Sequence, residues 1–257
     1  RKTAVATISL VVLWAAVADH PPQSGIFRGR PALTLYMLMV GDGSCFIVRF
    51  DDGQTLMSDC GSQAYLDMGE RTVAPALRRL GIDRIVYASS ETVLELPFDI
   101  DPPYIPVDEA YTPRPESVYS LVKVLEEHLA TELVRWHPEL SITALRFSNV
   151  MVPEDYAEFP FDADARARKW NLWGYIDARD GAQAVQRALE NAPAGFDTFI
   201  IAAADTVMTR PNAELVAEVY PDVETRVDLN GTETLLSIDK ARRLLGYDPQ
   251  HSWRDGR

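Results

Sequence analysis

RIVYASS, Arg84–Ser90, reads as a buried-type strand, and the pattern after it decides the fold class. ESVYSLVKVLEEHLATELV, Glu116–Val134, reads as a long helix, and ITALRFSNV, Ile142–Val150, as the next strand. Asp177–Ala192 reads as a helix that opens with Asp177 and Asp180 at capping-box spacing. FDTFIIAA, Phe196–Ala203, is a further strand, and Asn212–Val219 and Asp239–Leu245 are helices. Strands alternating with helices at this spacing predict an α/β fold, a parallel sheet with helices on its faces.

Upstream of residue 82 the character changes. ALTLYMLMVGDGSCFIVRFDDGQTLMSDCGS, Ala32–Ser62, holds short apolar runs separated by Gly-Asp and Asp-Gly turns, which predicts a meander of hairpins. Asp67–Leu80 reads as a helix with Val73, Leu77 and Leu80 at helical spacing and Gly81 as its stop signal. His20–Pro31 is rich in Pro, Gly and Arg and reads as a linker. Before it, Thr3–Ala18 is an uncharged apolar run, slightly short of the roughly 20 residues a membrane span requires. Three readings of that run stay open: the end of a membrane helix, a secretory signal, or a buried element. The expected division is 1–31 apolar segment and linker, 32–82 β-meander plus helix, and 83–257 the α/β part.

A formal net charge of −13 over 257 residues argues against nucleic acid as a partner, because binding phosphate requires a basic surface. It suits an enzyme handling small molecules. Two cysteines, Cys45 and Cys60, are too few for a disulfide framework and read as buried thiols in a reducing compartment. The four histidines, His20, His128, His137 and His251, show no metal-ligand spacing, so no metal is expected.

Ser90, Tyr119 and Lys123 form the chemical candidate. Ser90 ends a strand, where an α/β sheet presents functional groups at its carboxyl edge. Tyr119 and Lys123 are four residues apart, so both lie on one helix face. A free tyrosine is a poor base at neutral pH, and a neighbouring ammonium favours its phenolate. With a serine hydroxyl to hold the reacting oxygen, such a set can move a proton to or from an alcohol while hydride passes to a nicotinamide. The Tyr-x-x-x-Lys pattern alone is common in helices and carries little weight.

Its surroundings carry more. RIVYASSETV, PVDEAYTPRPESVYSLVK, ALRFSNVMVP, WGYIDARDGAQAVQRALE and SIDKARRLLGYDPQHSW resemble, in order, segments of the extended short-chain dehydrogenase/reductases, the NAD-dependent epimerases and dehydratases. The resemblance spans roughly residues 82–255. It implies Tyr119 as general acid or base, and Lys123 as the holder of the nicotinamide ribose. It makes Ser90 the group that binds the reacting oxygen, with Asn149 and Val150 bordering nicotinamide and substrate. Asp177, Arg179 and Asp180 read as structural; Trp173 and Tyr175 are either core or cleft residues. The implied cofactor is NAD or NADP, and the implied substrate is a small molecule, with a nucleotide sugar as the family default.

That family holds its dinucleotide on a Gly-rich turn in its first βαβ unit, and residues 1–82 contain no such pattern. The nearest candidate, Gly41-Asp-Gly43, is followed by Phe46 and a strand, and reads as a hairpin turn. Instead, residues 3–82 resemble the opening of the metallo-β-lactamase-type domain of ComEC-type DNA-uptake proteins. Asp59 corresponds there to an early acidic residue, but no histidine cluster follows RIVYASS, so hydrolase chemistry is not implied. The chain therefore reads as a hybrid joined near Leu80–Ile85, with an incomplete Rossmann-like sheet preceded by an apolar segment and a hairpin-rich part. Further expectations are impaired cofactor binding, aggregation or dimerisation through the sheet face that the missing early strands would leave exposed, and a cytoplasmic dehydrogenase-like part. Residues 3–18 would supply a membrane contact or anchor.

Overall fold

A computed structural model of the chain describes residues 33–37, 44–50, 55–61, 74–162 and 164–255. The apolar run Thr3–Ala18, the linker His20–Pro31, the Gly41–Gly43 turn and residues 67–73 of the first expected helix lie outside the described residues. The chain divides into two compact units, 1–83 and 84–257.

In the first unit, β1 (Leu33–Met37), β2 (Ser44–Phe50) and β3 (Thr55–Gly61) form an antiparallel sheet in the order β1-β2-β3. Leu33 faces Phe50 and Met37 faces Phe46, the register of a hairpin, and a bulge between Ser44 and Phe46 interrupts the second ladder. Ile47 of β2 is fully buried. Helix α1 (Ala74–Leu80) stops at Gly81, whose φ of +67° is a left-handed conformation that glycine adopts without a Cβ penalty.

The second unit is built on a parallel sheet of β4 (Arg84–Ser90), β6 (Ser141–Phe147) and β9 (Gly195–Ile201), in the order β4-β6-β9. Two short parallel pairs accompany it: β5 (Tyr104–Ile105) with β10 (Glu224–Thr225), and β7 (Val150–Met151) with β8 (Ile176–Asp177). Its helices are α2 (Val118–Trp136), α3 (Ala178–Asn191), α4 (Asn212–Val219) and α5 (Asp239–Leu245). The start of α2 falls two residues after the expected Glu116, because Ser117 is its N-cap. The Ser117 hydroxyl accepts from Ser120 N–H at 3.0 Å, and Ser117 N–H donates to Ser120 Oγ at 2.9 Å.

Both faces of the sheet are covered. Successive strand residues point to opposite sides. Arg146 meets Glu127 of α2, whereas a Cβ built on Gly181 of α3 would lie 3.6 Å from the ring of Phe147, the next residue. The α/β class and two-sided helix cover are as expected from the strand–helix alternation. Trp173, Tyr175, Leu145, Phe199, Ile201 and Tyr247 are buried in one apolar core.

A buried ion pair joins α2 to the sheet. Arg146 donates from Nε to Glu127 Oε1 (2.9 Å) and from Nη2 to Oε2 (2.7 Å), and Ser89 Oγ donates to the same Oε1 at 2.7 Å. All three residues are buried. Two charges taken out of water need such bidentate pairing, and a lone survivor is costly. We expect Glu127→Ala to lower unfolding free energy by about 3–5 kcal/mol, because Arg146 is left without its counter-ion. The double variant Glu127→Leu/Arg146→Met should lose less than either single change. Urea denaturation of the three variants checks this; equal losses would mean the pair does not act as a unit.

Candidate active site

The three strands of the parallel sheet end level with one another: Ser90 lies beside Phe147, and Phe147 beside Ile201. Functional groups that follow these residues therefore gather at one carboxyl edge. Ser90 is buried and caps the 3-10 turn Glu91–Leu94. Its Oγ accepts from Thr92 N–H at 3.2 Å and from Thr92 Oγ1 at 3.0 Å, which leaves the Ser90 proton to donate.

Tyr119 and Lys123 share one face of α2, with Lys123 Nζ 5.9 Å from the centroid of the Tyr119 ring. The ammonium donates to the carbonyl of Ala88, two residues before Ser90, at 2.9 Å. It also donates to Glu126 Oε2 at 2.9 Å. An ammonium has three donors, so one is left for a ligand. The Tyr119 side chain is 56% exposed, and among the described residues its hydroxyl makes no hydrogen bond, to Ser90 or to any other group.

Asn149 and Val150 follow β6 at the same edge. Ser148 N–H donates to Ile201 O (2.9 Å) and Ile176 N–H to Asn149 O (3.0 Å), so the loop is pinned on two sides by backbone bonds. Val150 opens β7 and is half exposed. The structure thus places Ser90, Lys123 and Asn149 on adjoining pieces of the sheet edge, with Tyr119 one turn before Lys123 on α2.

The helix-opening acids take different roles from the expected capping box. Asp177 is the N-cap of α3, accepting from Arg179 N–H, Nε and Nη2, each at 2.8 Å, and from the Tyr156 hydroxyl. Burial opposes ionisation, but the hydrogen bonds from Arg179 and Tyr156 outweigh it and hold the Asp177 carboxyl well below the usual range. Asp180 does not turn back to the cap. It accepts from Gln250 N–H (3.0 Å), His251 N–H (2.9 Å) and His251 Nδ1 (2.8 Å), tying α3 to the C-terminal segment. Trp173 and Tyr175 are core residues: both are fully buried, Trp173 Nε1 donating to Ala165 O and Tyr175 to Asp205, each at 2.7 Å.

A surface cavity of about 520 Å³ lies elsewhere, between Pro153, Tyr156, Arg179, His251 and Trp253, and includes none of Ser90, Tyr119 or Lys123. The sheet edge, and not this cavity, holds the candidate chemistry, since the cavity's Arg179 and His251 are already paired with Asp177 and Asp180. Among the described residues no group of three or more His, Cys, Asp or Glu side chains is placed to hold a metal, and no helix is long and apolar enough to cross a membrane. Glu91, buried beside Ser90, went unread in the sequence; its position directly after a strand-ending serine is the one signal that could have marked it.

A dinucleotide's nicotinamide-ribose end fits the residues present: the Lys123 donor and the Tyr119 hydroxyl are unused among the described residues. Comparison with known proteins agrees in family. The NAD dependent epimerase/dehydratase family matches residues 65–202, more than half of the 257-residue chain. The match begins ahead of residue 82, so it takes in α1, which the sequence reading assigns to the metallo-β-lactamase-like part. No curated protein matches the chain. Among solved structures it is similar to a UDP-galactose 4-epimerase, at 23% identity and a TM-score of 0.45, covering 70% of this chain and 62% of that one. It is also similar to MoeE5 in complex with UDP-glucose and NAD (21%, 0.46, 71% and 64%). A third is the UDP-N-acetylglucosamine 4-epimerase from Bacillus cereus (20%, 0.47, 77% and 72%). The chain thus spans less than two thirds of the length of the first two.

The Asp177 cap sets an acid limit. A carboxyl held below its unfolded value near 3.8 stabilises the fold above that value and loses the contribution as pH falls past it. Asp177→Asn should lower the melting temperature at neutral pH and flatten its decline below about pH 4. Thermal melts from neutral to acid pH test this; an unchanged acid slope would count against it.

Proposed function

The chain belongs to the NAD dependent epimerase/dehydratase family, and we propose from that premise that it uses NAD or NADP on an alcohol of a sugar or nucleotide sugar. When bound, the dinucleotide supplies hydride transfer. Tyr119 gives or takes the alcohol proton, Ser90 donates to the reacting oxygen, and Lys123 holds the ribose and the Tyr119 phenolate. Asn149 and Val150 border nicotinamide and substrate. The observation that carries this reading is the bond from Lys123 Nζ to Ala88 O, which fastens the Tyr–Lys face of α2 to the strand ending in Ser90. Hold on the pyrophosphate is weak in this reading, because residues 1–82 carry no Gly-rich turn of the family type.

A second reading treats the chain as a catalytically inactive hybrid whose residues 32–82 are a remnant of a ComEC-type metallo-hydrolase. That reading expects an antiparallel meander such as β1-β2-β3, while the family match from residue 65 counts against its assignment of α1. Calorimetric titration with NAD(H) and NADP(H) separates the two. The first reading expects weak binding that Lys123→Ala reduces at least about tenfold, the loss of one or more charge-assisted hydrogen bonds. No binding to a folded chain supports the inactive hybrid.

The partner proposed for α2 is a second copy of the chain. Val118, Leu121, Leu125, Leu129 and Trp136 are exposed on this helix. Their spacing is self-complementary when two such helices run antiparallel. With Leu125 opposite Leu129 of the partner subunit, Val118 lies opposite Trp136 of the partner subunit. Sedimentation should show a dimer that Leu125→Glu converts to monomer; a wild-type monomer at high concentration refutes the dimer alone.

A further inference from the structure

Helix α4 (Asn212–Val219) begins without a side-chain cap, because Pro211 stands at its N-cap position. The first N–H groups of a helix have no partner inside it and must find one outside. Here Asn212 N–H donates to Gly231 O at 2.8 Å, and Ala213 N–H donates to Leu229 O at 2.9 Å. Residues 229–231 therefore cap α4 with their own carbonyls. The next two residues hold this segment in place. Thr206 N–H donates to Thr232 O at 2.9 Å, and the buried Asn212 side chain donates from Nδ2 to Glu233 O at 2.7 Å.

Between the two capping carbonyls lies the peptide bond from Asn230 to Gly231. Of the five asparagines, Asn149, Asn171, Asn191, Asn212 and Asn230, only the last is followed by glycine. Asn230 is exposed, and the Gly231 N–H makes no hydrogen bond among the described residues. Glycine has no Cβ to hinder that nitrogen, although the Glu233 carboxylate lies where a side chain at 231 would start. One contact restrains the Asn230 carboxamide. Asp228 accepts from Asn230 Nδ2 at 2.9 Å and from Asn230 N–H at 3.2 Å, which folds the side chain back on its own residue. Giving up the exposed Nδ2 bond slows a turn toward Gly231 by about fivefold and does not block it.

We infer that Asn230–Gly231 is a self-modification site whose isoaspartyl product releases the start of α4. The Gly231 nitrogen attacks Asn230 Cγ, an intramolecular closure that keeps the reacting atoms at high effective concentration. Its proton passes through solvent to the carboxamide nitrogen. The bond from Cγ to that nitrogen breaks, ammonia leaves, and a succinimide ring remains. Water then opens the ring. Addition at Cγ gives aspartate on an unchanged main chain. Addition at the former backbone carbonyl gives isoaspartate, in which the main chain runs through Cβ and Cγ. The net change is one water taken up and one ammonia released, with no oxidation or reduction. The isoaspartyl link lengthens the main chain by one carbon, about 1.5 Å. Leu229 O and Gly231 O stand on either side of it, so they no longer face the Asn212 and Ala213 N–H groups together.

Ageing of the full chain at physiological temperature and mildly alkaline pH tests this without cofactor or substrate, and independently of the function proposed above. Trypsin cutting after Arg226 and Lys240 isolates Asn230 in Val227–Lys240, which holds no other asparagine. Mass spectrometry should show amide-to-acid conversion there before any at the other four asparagines, with isoaspartate the main product. Asp228→Ala should convert about fivefold faster. Asn230→Gln, whose ring would need six members, should convert at least about tenfold slower. In the isoaspartyl fraction, hydrogen-exchange protection of the Asn212 and Ala213 amides should fall at least about tenfold. The Tyr220 amide, bonded to Val216 O at the far end of α4, should stay level. Fresh Asn230→Asp, which adds the charge without the extra carbon, should keep protection at both amides. The inference is overturned if Asn230 stays intact in the folded chain while it converts in the urea-unfolded chain. It is equally overturned if the isoaspartyl fraction stays protected at Asn212 and Ala213, or if fresh Asn230→Asp loses protection to the same extent.

Discussion

The buried pair of Glu127 and Arg146 is the constraint on which the second unit's candidate site depends. It joins the middle of α2 to the central strand of the parallel sheet, and Ser89 of the neighbouring strand joins it. Tyr119, Lys123 and Glu127 are spaced by four residues each, so one strip of the helix carries both the anchor and the chemical pair. Fixing Glu127 over Arg146 fixes the rotation and height of α2. Lys123 then falls against Ala88 O, two residues from Ser90. A buried ion pair is weak evidence for stability, since desolvation offsets much of the attraction. Its directional, bidentate geometry is what an apolar contact lacks, because apolar contacts tolerate sliding and these bonds do not.

The opposite face of the sheet is held by other means. α3 is amphipathic, with Gly181, Ala184 and Ala188 buried, small residues that let the helix lie close to the strands. Its two acids divide the work: Asp177 satisfies the helix start, and Asp180 accepts from the backbone of Gln250 and His251. Glu91 accepts from Asn171, and burial pushes its carboxyl up.

Much of this architecture is legible in the residues. Strand β4, helices α4 and α5, and the Gly81 stop fall where periodicity and turn chemistry predict. The start of α2 is displaced from Glu116 because Ser117 and Ser120 cap each other, a pairing visible only once both side chains are placed. Asp180 is misread because an acid three residues after a cap has two uses, and the competing donors lie some seventy positions away. Trp173 and Tyr175 are ambiguous for a related reason: an aromatic with a polar tip suits a cleft as well as a core. Their partners, Ala165 O and Asp205, decide for the core.

The sequence by itself determined the α/β class, the order of the main strands and helices, and the candidates Ser90, Tyr119 and Lys123, whereas Asn149 and Val150 are candidates only through the resemblance to the short-chain dehydrogenase/reductases. It could do so because hydrophobic period, caps and motif spacing are properties of neighbours along the chain. Only the tertiary structure decided which side chains are buried together: Glu127 with Arg146 and Ser89, Asp180 with His251, Glu91 with Asn171. Those pairings join residues between 19 and 80 positions apart. Their energies come from desolvation and hydrogen-bond geometry, which exist only after the strands and helices have packed.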